Sequence, residues 1–340
     1  MKAAVFHQPG RPLAIETVPD PAPQVGEAVI RVKRCGVCGT DLHATEQHDR
    51  AGAGGMVMGH EFAGEIVALG KDTPLGWQEG DRLCALPFIG CGACVACSVG
   101  RPWQCATKKI VGLGEVGGGF AEYMRVHLNE AVRLPDHVSW QQGALVEPLA
   151  VSLHGVRNIQ HGIAGKNVLV IGAGPIGLTT TLWCSFFGAR QVIVSELDPG
   201  RARMATAYGA TGIVDARADV GEQFRDLAGG EPELIMEYVG VPGMIARCVE
   251  LAPYGGEIVV VGFCMKPDTF MPAIAMAKEL SVKFVIAQTK SDFQFTVDML
   301  GAGRIKADGL VTDVLGFEQF PSAFEALRTP TSQCKIMLEP

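Results

Sequence analysis

The chain has 340 residues, 48% of them hydrophobic, which is enough for two domains with full cores. Its formal net charge is −7, and no run of Lys or Arg is present, so a nucleic-acid or anionic-membrane partner is not expected. The turn at Pro9-Gly10 comes too early for a signal-peptide core, and no apolar run approaches the ~20 residues of a membrane helix. A cytoplasmic address is expected, where eleven cysteines point to metal or catalysis before disulfides.

Residues 1 to roughly 150 read as β-rich. Ala28-Val29-Ile30-Arg31-Val32 and the stretch from Phe62 to Leu69 are strand candidates, and the prolines from Pro19 to Pro23 and Gly80-Asp81 mark turns. Gly118 to Val126 reads as a further strand entered through glycines, so a partly open barrel is expected. Cys38-Gly39-Thr40-Asp41-Leu42-His43 and Gly59-His60-Glu61 flank a glycine-rich segment, Gly52-Ala53-Gly54-Gly55. Thiolate, imidazole and carboxylate are the protein ligands that suit Zn²⁺, and two or three of them with an open position make a catalytic site. On these fragments alone, a buried small cysteine and a core histidine fit equally well.

Cys91-Gly92-Ala93-Cys94-Val95-Ala96-Cys97, with Cys105 eight residues further on, is the clearest local motif. Four clustered thiols would bind one Zn²⁺ tetrahedrally and leave no open position, a structural site. Disulfides between such near neighbours would be strained, and an iron–sulfur cluster remains the minor alternative on spacing. Arg101, Lys108 and Lys109 are too little local charge for a nucleic-acid module.

Beyond residue 150 the texture changes. Asn167-Val168-Leu169-Val170-Ile171 is a continuous apolar run, as expected of a strand buried on both faces. It leads into Gly172-Ala173-Gly174-Pro175-Ile176-Gly177 and an apolar helix from Leu178 to Phe187. A second strand, Gln191 to Ser195, ends in Glu196. That context makes the glycines a dinucleotide fingerprint. Gly172 allows the tight turn, Gly174 the approach of the pyrophosphate and Gly177 the packing of helix on strand, while the helix N-terminus supplies amide donors. Glu196 would accept from the ribose hydroxyls, with Arg201 on the next helix and Val261 at a later strand end completing the cofactor set. Further strands at Gly212–Val214, Leu234–Tyr238, Glu257–Gly262 and Val282–Ile286, with helical patterns such as Arg201 to Tyr208 and Met244 to Leu251, predict a six-stranded doubly wound sheet. After a helix from Phe293 to Gly301, the tail through Cys334 to Leu338 is expected to return to the first domain.

The motif Gly36-Val37-Cys38-Gly39-Thr40-Asp41-Leu42-His43, Gly59-His60-Glu61, the four cysteines, Glu147-Pro148-Leu149 and the fingerprint occur in one order. In that order the chain resembles the zinc-containing medium-chain alcohol/polyol dehydrogenases. The resemblance implies an α/β protein with a GroES-like β-rich catalytic domain over 1–147 and 287–340 and a Rossmann NAD-binding domain over 148–286. It implies that Cys38 and His60 ligate a catalytic zinc with Glu147 as third ligand, that Glu61 can exchange onto the metal or hold a water, and that Asp41 orients His60. Thr40 is then similar to the relay hydroxyl and His43 to the outer relay histidine. His7, His127, His137 and His161 are read as ordinary residues, and His48 as a solvated loop residue close to substrate.

One departure bears on substrate. The sorbitol branch carries a Phe-Arg-Tyr-like segment where this chain reads Ala287-Gln288-Thr289, so a less hydroxylated secondary alcohol or its ketone competes with a diol or polyol. Two zincs and NAD are the expected cofactors. A carboxylate at Glu196, with Asp198 nearby, would repel the 2′-phosphate of NADP, while Arg201 and Arg203 on a solvated helix face pull the other way. The alternatives are a non-catalytic zinc-binding member and an NADP-linked carbonyl or enone reductase of the same superfamily. A homodimer or homotetramer is expected, built on an apolar sheet edge at Glu257–Val261 followed by Phe263-Cys264-Met265.

Overall fold

The structure is a computed structural model that describes residues 1–46, 55–329 and 333–340. His48 and Gly52-Ala53-Gly54 lie outside the described residues. The chain divides into two compact units, Met1–Ala150 with Gln288–Pro340, and Val151–Ala287.

The first unit is organised on the ten-residue strand Glu27–Gly36, whose buried Ala28, Ile30, Val32 and Cys35 face the core. It pairs antiparallel with Glu61–Leu69 and Tyr123–His127. Bulges between Val29 and Ile30 and between Val32 and Arg34 re-aim its side chains. At its end, Gly36 and Cys35 pair with Met337 and Leu338 of the strand Lys335–Leu338. The sheet thus runs Ala131–Arg133, Arg82–Ala85, Glu61–Leu69, Glu27–Gly36, Lys335–Leu338, Val311–Leu315. Phe62, Phe120, Phe320 and Phe324 close the core, with Phe120 and Phe320 edge to face at 4.8 Å. The strand expected from Gly118 starts only at Tyr123. Gly118 and Gly119 instead lie against Met58 and Gly59, where Gly119 N donates to Gly59 O at 2.7 Å and a Cβ on Gly118 would meet backbone.

In the second unit six parallel strands stand in the order Gly212–Asp215, Gln191–Glu196, Asn167–Ile171, Leu234–Glu237, Glu257–Val260, Ser281–Phe284. Every residue of Asn167–Ile171, Leu234–Glu237 and Glu257–Val260 is buried, which explains their continuous apolar character. The edge expected at Glu257–Val261 is therefore an interior strand. Ser281–Phe284 is the edge on this side, with Lys283 and Phe284 exposed. Apolar content misled because it marks burial on both faces rather than an open flank. Among the described residues no helix is long and apolar enough to cross a membrane.

Candidate active site

In the first unit, Cys38, His60 and Glu61 offer ligand atoms that lie within 4.8 Å of one another. Cys38 precedes the short helix Gly39–Ala44, and Asp41 on that helix ties the group together. Asp41 is fully buried; its Oδ2 accepts from Cys38 N at 2.9 Å, and its Oδ1 stands 3.3 Å from His60 Nδ1. The other ring nitrogen, Nε2, stands 3.3 Å from Thr40 Oγ1. Burial alone would push the His60 imidazole down, but Asp41 and Cys38 outweigh it and raise it well above its ordinary value. His43 lies at the end of the same helix, half-exposed, with Nδ1 3.7 Å from Glu46.

Glu61 opens the strand next to Gly36, its cross-strand partner, and a Cβ on Gly36 would collide with the Glu61 carboxylate. Its two oxygens receive Lys335 Nζ at 2.7 and 2.8 Å, and the third ammonium donor goes to Val37 O at 2.8 Å. Sequence reasoning missed Lys335. Its only signal was a lysine opening an otherwise apolar run, Lys335-Ile336-Met337-Leu338.

Glu147, on the helix Trp140–Arg157, is 6% exposed and lies outside the 4.8 Å group. Its Oε1 accepts from Gln288 Nε2 at 2.9 Å. Burial, with the Glu61 charge adding to it, pushes its carboxyl up to about 7 against the pull of His60 and Lys335. The donor set fits a zinc ion: a thiol, an imidazole whose far nitrogen is already oriented, and buried carboxylates.

Cys91, Cys94, Cys97 and Cys105 form the second group, all four sulfurs within 4.8 Å of one another. Tetrahedral Zn–S bonds of about 2.3 Å place sulfurs about 3.8 Å apart, and Cys94 and Cys97 Sγ stand at 3.6 Å. Thr107 and the Cys91 N–H draw the Cys105 thiol down to about 6, and the Ala93 and Cys94 N–H groups lower Cys91, while burial lifts Cys97 to about 11. Four thiols with no carboxylate or imidazole among them fit a closed zinc site.

In the second unit, Gly172 has φ +97°, and a Cβ on Gly177 would collide with its carbonyl oxygen. A Cβ on Gly174 would meet nothing within 4 Å, so the backbone there is open to a phosphate before the helix Pro175–Phe186. Ile176 sits in the first turn of that helix. Glu196 ends its strand as expected, but its Oε2 also accepts from Ala173 N at 2.7 Å, tying the carboxylate to the fingerprint loop. Its Oε1 takes Leu197 N and Asp198 N at 2.7 and 2.9 Å. Asp198 caps the next helix by accepting from Arg201 N, and Arg201 is half-buried rather than on a solvated face; Arg203 is the exposed one. Val261 follows the strand Glu257–Val260 and donates its N–H to Glu237 O at 3.0 Å. Glu237, which the sequence reading passed over, is buried, and its Oε1 accepts from Val239 N and Gly240 N at 2.6 and 2.8 Å. Open backbone, helix N-terminus and strand-end carboxylate together fit a dinucleotide.

A chain that carries both a parallel doubly wound sheet with a fingerprint turn and a β-rich unit gathering Cys, His and Glu has the features of a zinc-type dehydrogenase. Residues 24–136 match the family model for the alcohol dehydrogenase GroES-like domain, and residues 175–302 that for zinc-binding dehydrogenases. Over essentially the whole of both chains, the protein is 33% identical to (R,R)-butanediol dehydrogenase of Bacillus subtilis strain 168 (100% and 100% covered). It is 32% identical to starvation-sensing protein RspB of Escherichia coli K12 (99% and 99%). The solved structure of a zinc-binding dehydrogenase from Sinorhizobium meliloti 1021 bound to NADP superposes with a TM-score of 0.90 at 29% identity, covering 100% of this chain and 99% of that one. The chain belongs to the zinc-containing medium-chain alcohol dehydrogenase family.

Proposed function

We propose that the protein is a cytosolic, NAD-dependent zinc oxidoreductase acting on a secondary alcohol, diol or polyol, or on the matching ketone. The observation that carries the reading is the convergence of Cys38, His60 and Glu61, with Asp41 fixing both Cys38 and His60. Zinc held there would act as a Lewis acid on a substrate oxygen. Cys38 and His60 are its first two ligands, and Glu147 is the third. Glu61 already has a lysine ammonium on both oxygens, whereas Glu147 has only a neutral amide, so Glu147 keeps more charge to give. We read the Thr40 hydroxyl as the group that takes the substrate proton, and His43, half-exposed on the same helix, as the outer residue that passes it on toward water. Gly172, Gly174 and Gly177 seat the dinucleotide, and Glu196 holds its adenosine ribose. NAD is favoured because a strand-end carboxylate opposes a 2′-phosphate.

The butanediol dehydrogenase relative supports a small diol, and Gln288 in place of an arginine supports the less hydroxylated end of the range. The assembly is a homodimer or homotetramer through the Ser281–Phe284 edge. The test is a panel of diols, polyols and secondary alcohols assayed for NAD reduction with wild type and Cys38→Ser. Turnover on one class, lost in the variant while one zinc per chain remains, is the expected result. Wild-type kcat in Cys38→Ser would sink the reading.

A further inference from the structure

Glu147 and Gln288 meet across 141 residues of sequence. Gln288 is 1% exposed, and its Nε2 donates to Glu147 Oε1 at 2.9 Å. The backbone on both sides is committed to this placement. Ala287, buried, has φ +63°, a left-handed conformation that strains a residue with a Cβ. Such strain persists only where the surroundings enforce it. On the other side Thr289 caps the helix Lys290–Gly301: its Oγ1 accepts from Asp292 N at 3.2 Å, and Asp292 Oδ2 accepts from Thr289 N at 2.9 Å. A strained residue before and a closed cap after fix the backbone at Gln288 and with it the direction in which the side chain leaves the chain.

We infer that Gln288 is the positioning residue for the third metal ligand, holding one oxygen of Glu147 while leaving its charge for the ion. The inference rests on the zinc reading above. The chemistry of the amide matters. A guanidinium at this place would neutralise Glu147 and compete with the metal for it, whereas an amide orients the carboxylate without quenching it.

The test is zinc affinity, measured by chelator competition on the full-length protein with the four-cysteine site left loaded. Gln288→Met keeps length and removes both donors. It should weaken zinc at the Cys38 site roughly tenfold to a hundredfold and shift the visible spectrum of the cobalt-substituted protein. Gln288→Arg keeps a donor but adds charge, and should weaken zinc as well; this variant serves if the Met variant does not fold. Unchanged zinc affinity in either folded variant overturns the inference. The zinc reading fails by a different result, in which wild type holds one zinc or Glu147→Ala binds the second as tightly as wild type. That result would leave Gln288 nothing to position and overturn the inference too.

Discussion

Lys335 and Glu61, 274 residues apart, form one buried ion pair in which the ammonium reaches both carboxylate oxygens at 2.7 and 2.8 Å. Neither side chain is more than 2% exposed. Burial by itself would push the lysine down, but the Glu61 charge beside it raises it above its ordinary value, so the ammonium keeps its proton. Lys335→Met leaves a buried carboxylate uncompensated and should cost about 3–5 kcal/mol. Urea unfolding measures it. Adding Glu61→Gln should recover much of the loss, and a double variant no more stable than the single would show that packing, not charge, set the effect.

The four-cysteine group should behave as a folding element. Cys97→Ala is expected to leave about one zinc per chain and lower the thermal midpoint, because a closed site contributes folding energy rather than reactivity. Metal analysis and calorimetry on the same sample check this. A variant with a single zinc and unaltered midpoint would remove the structural role.

Glu196 has two duties, and one substitution separates them. Its carboxylate holds the Ala173 N–H of the fingerprint loop, and under the proposed function it also receives the adenosine ribose. Glu196→Ala should lower kcat/KM for NAD roughly tenfold to a hundredfold, the worth of one or two charge-assisted hydrogen bonds. NADP should lose less, since repulsion disappears with the charge, so the NAD/NADP ratio narrows. An equal drop for both cofactors would mean that Glu196 serves the loop alone.

The open flank of the parallel sheet carries the assembly prediction. Phe284 and Ile286 are 64% and 58% exposed beside it. Phe284→Lys should convert a dimer or tetramer into smaller species by light scattering. A wild-type protein that is monomeric at micromolar concentration ends the proposal.

Local signals were legible in the sequence where chemistry is local. The fingerprint glycines, the four cysteines and the Cys38-to-His43 stretch each carry their meaning within a few residues. The uninterrupted run Asn167–Ile171 announced a strand buried on both faces. What was not legible depends on partners distant in sequence. Lys335 reads as a surface lysine until its strand pairs with Cys35 and Gly36, which carries it to Glu61. Gly118 reads as the start of a strand until the backbone of Met58 and Gly59 is laid against it. Glu257–Val260 looks like an edge because hydrophobicity reports burial but not which strands flank it.

The pairing of Lys335–Leu338 with the end of Glu27–Gly36 also dictates an order of events during synthesis. Glu61 has no counter-charge, and Val37 N no Ile336 carbonyl, until the last strand has left the ribosome. The Val151–Ala287 unit contains all its own strands and can close while the chain is still growing. The unit that holds Cys38 and His60, begun before the other, is therefore completed after it.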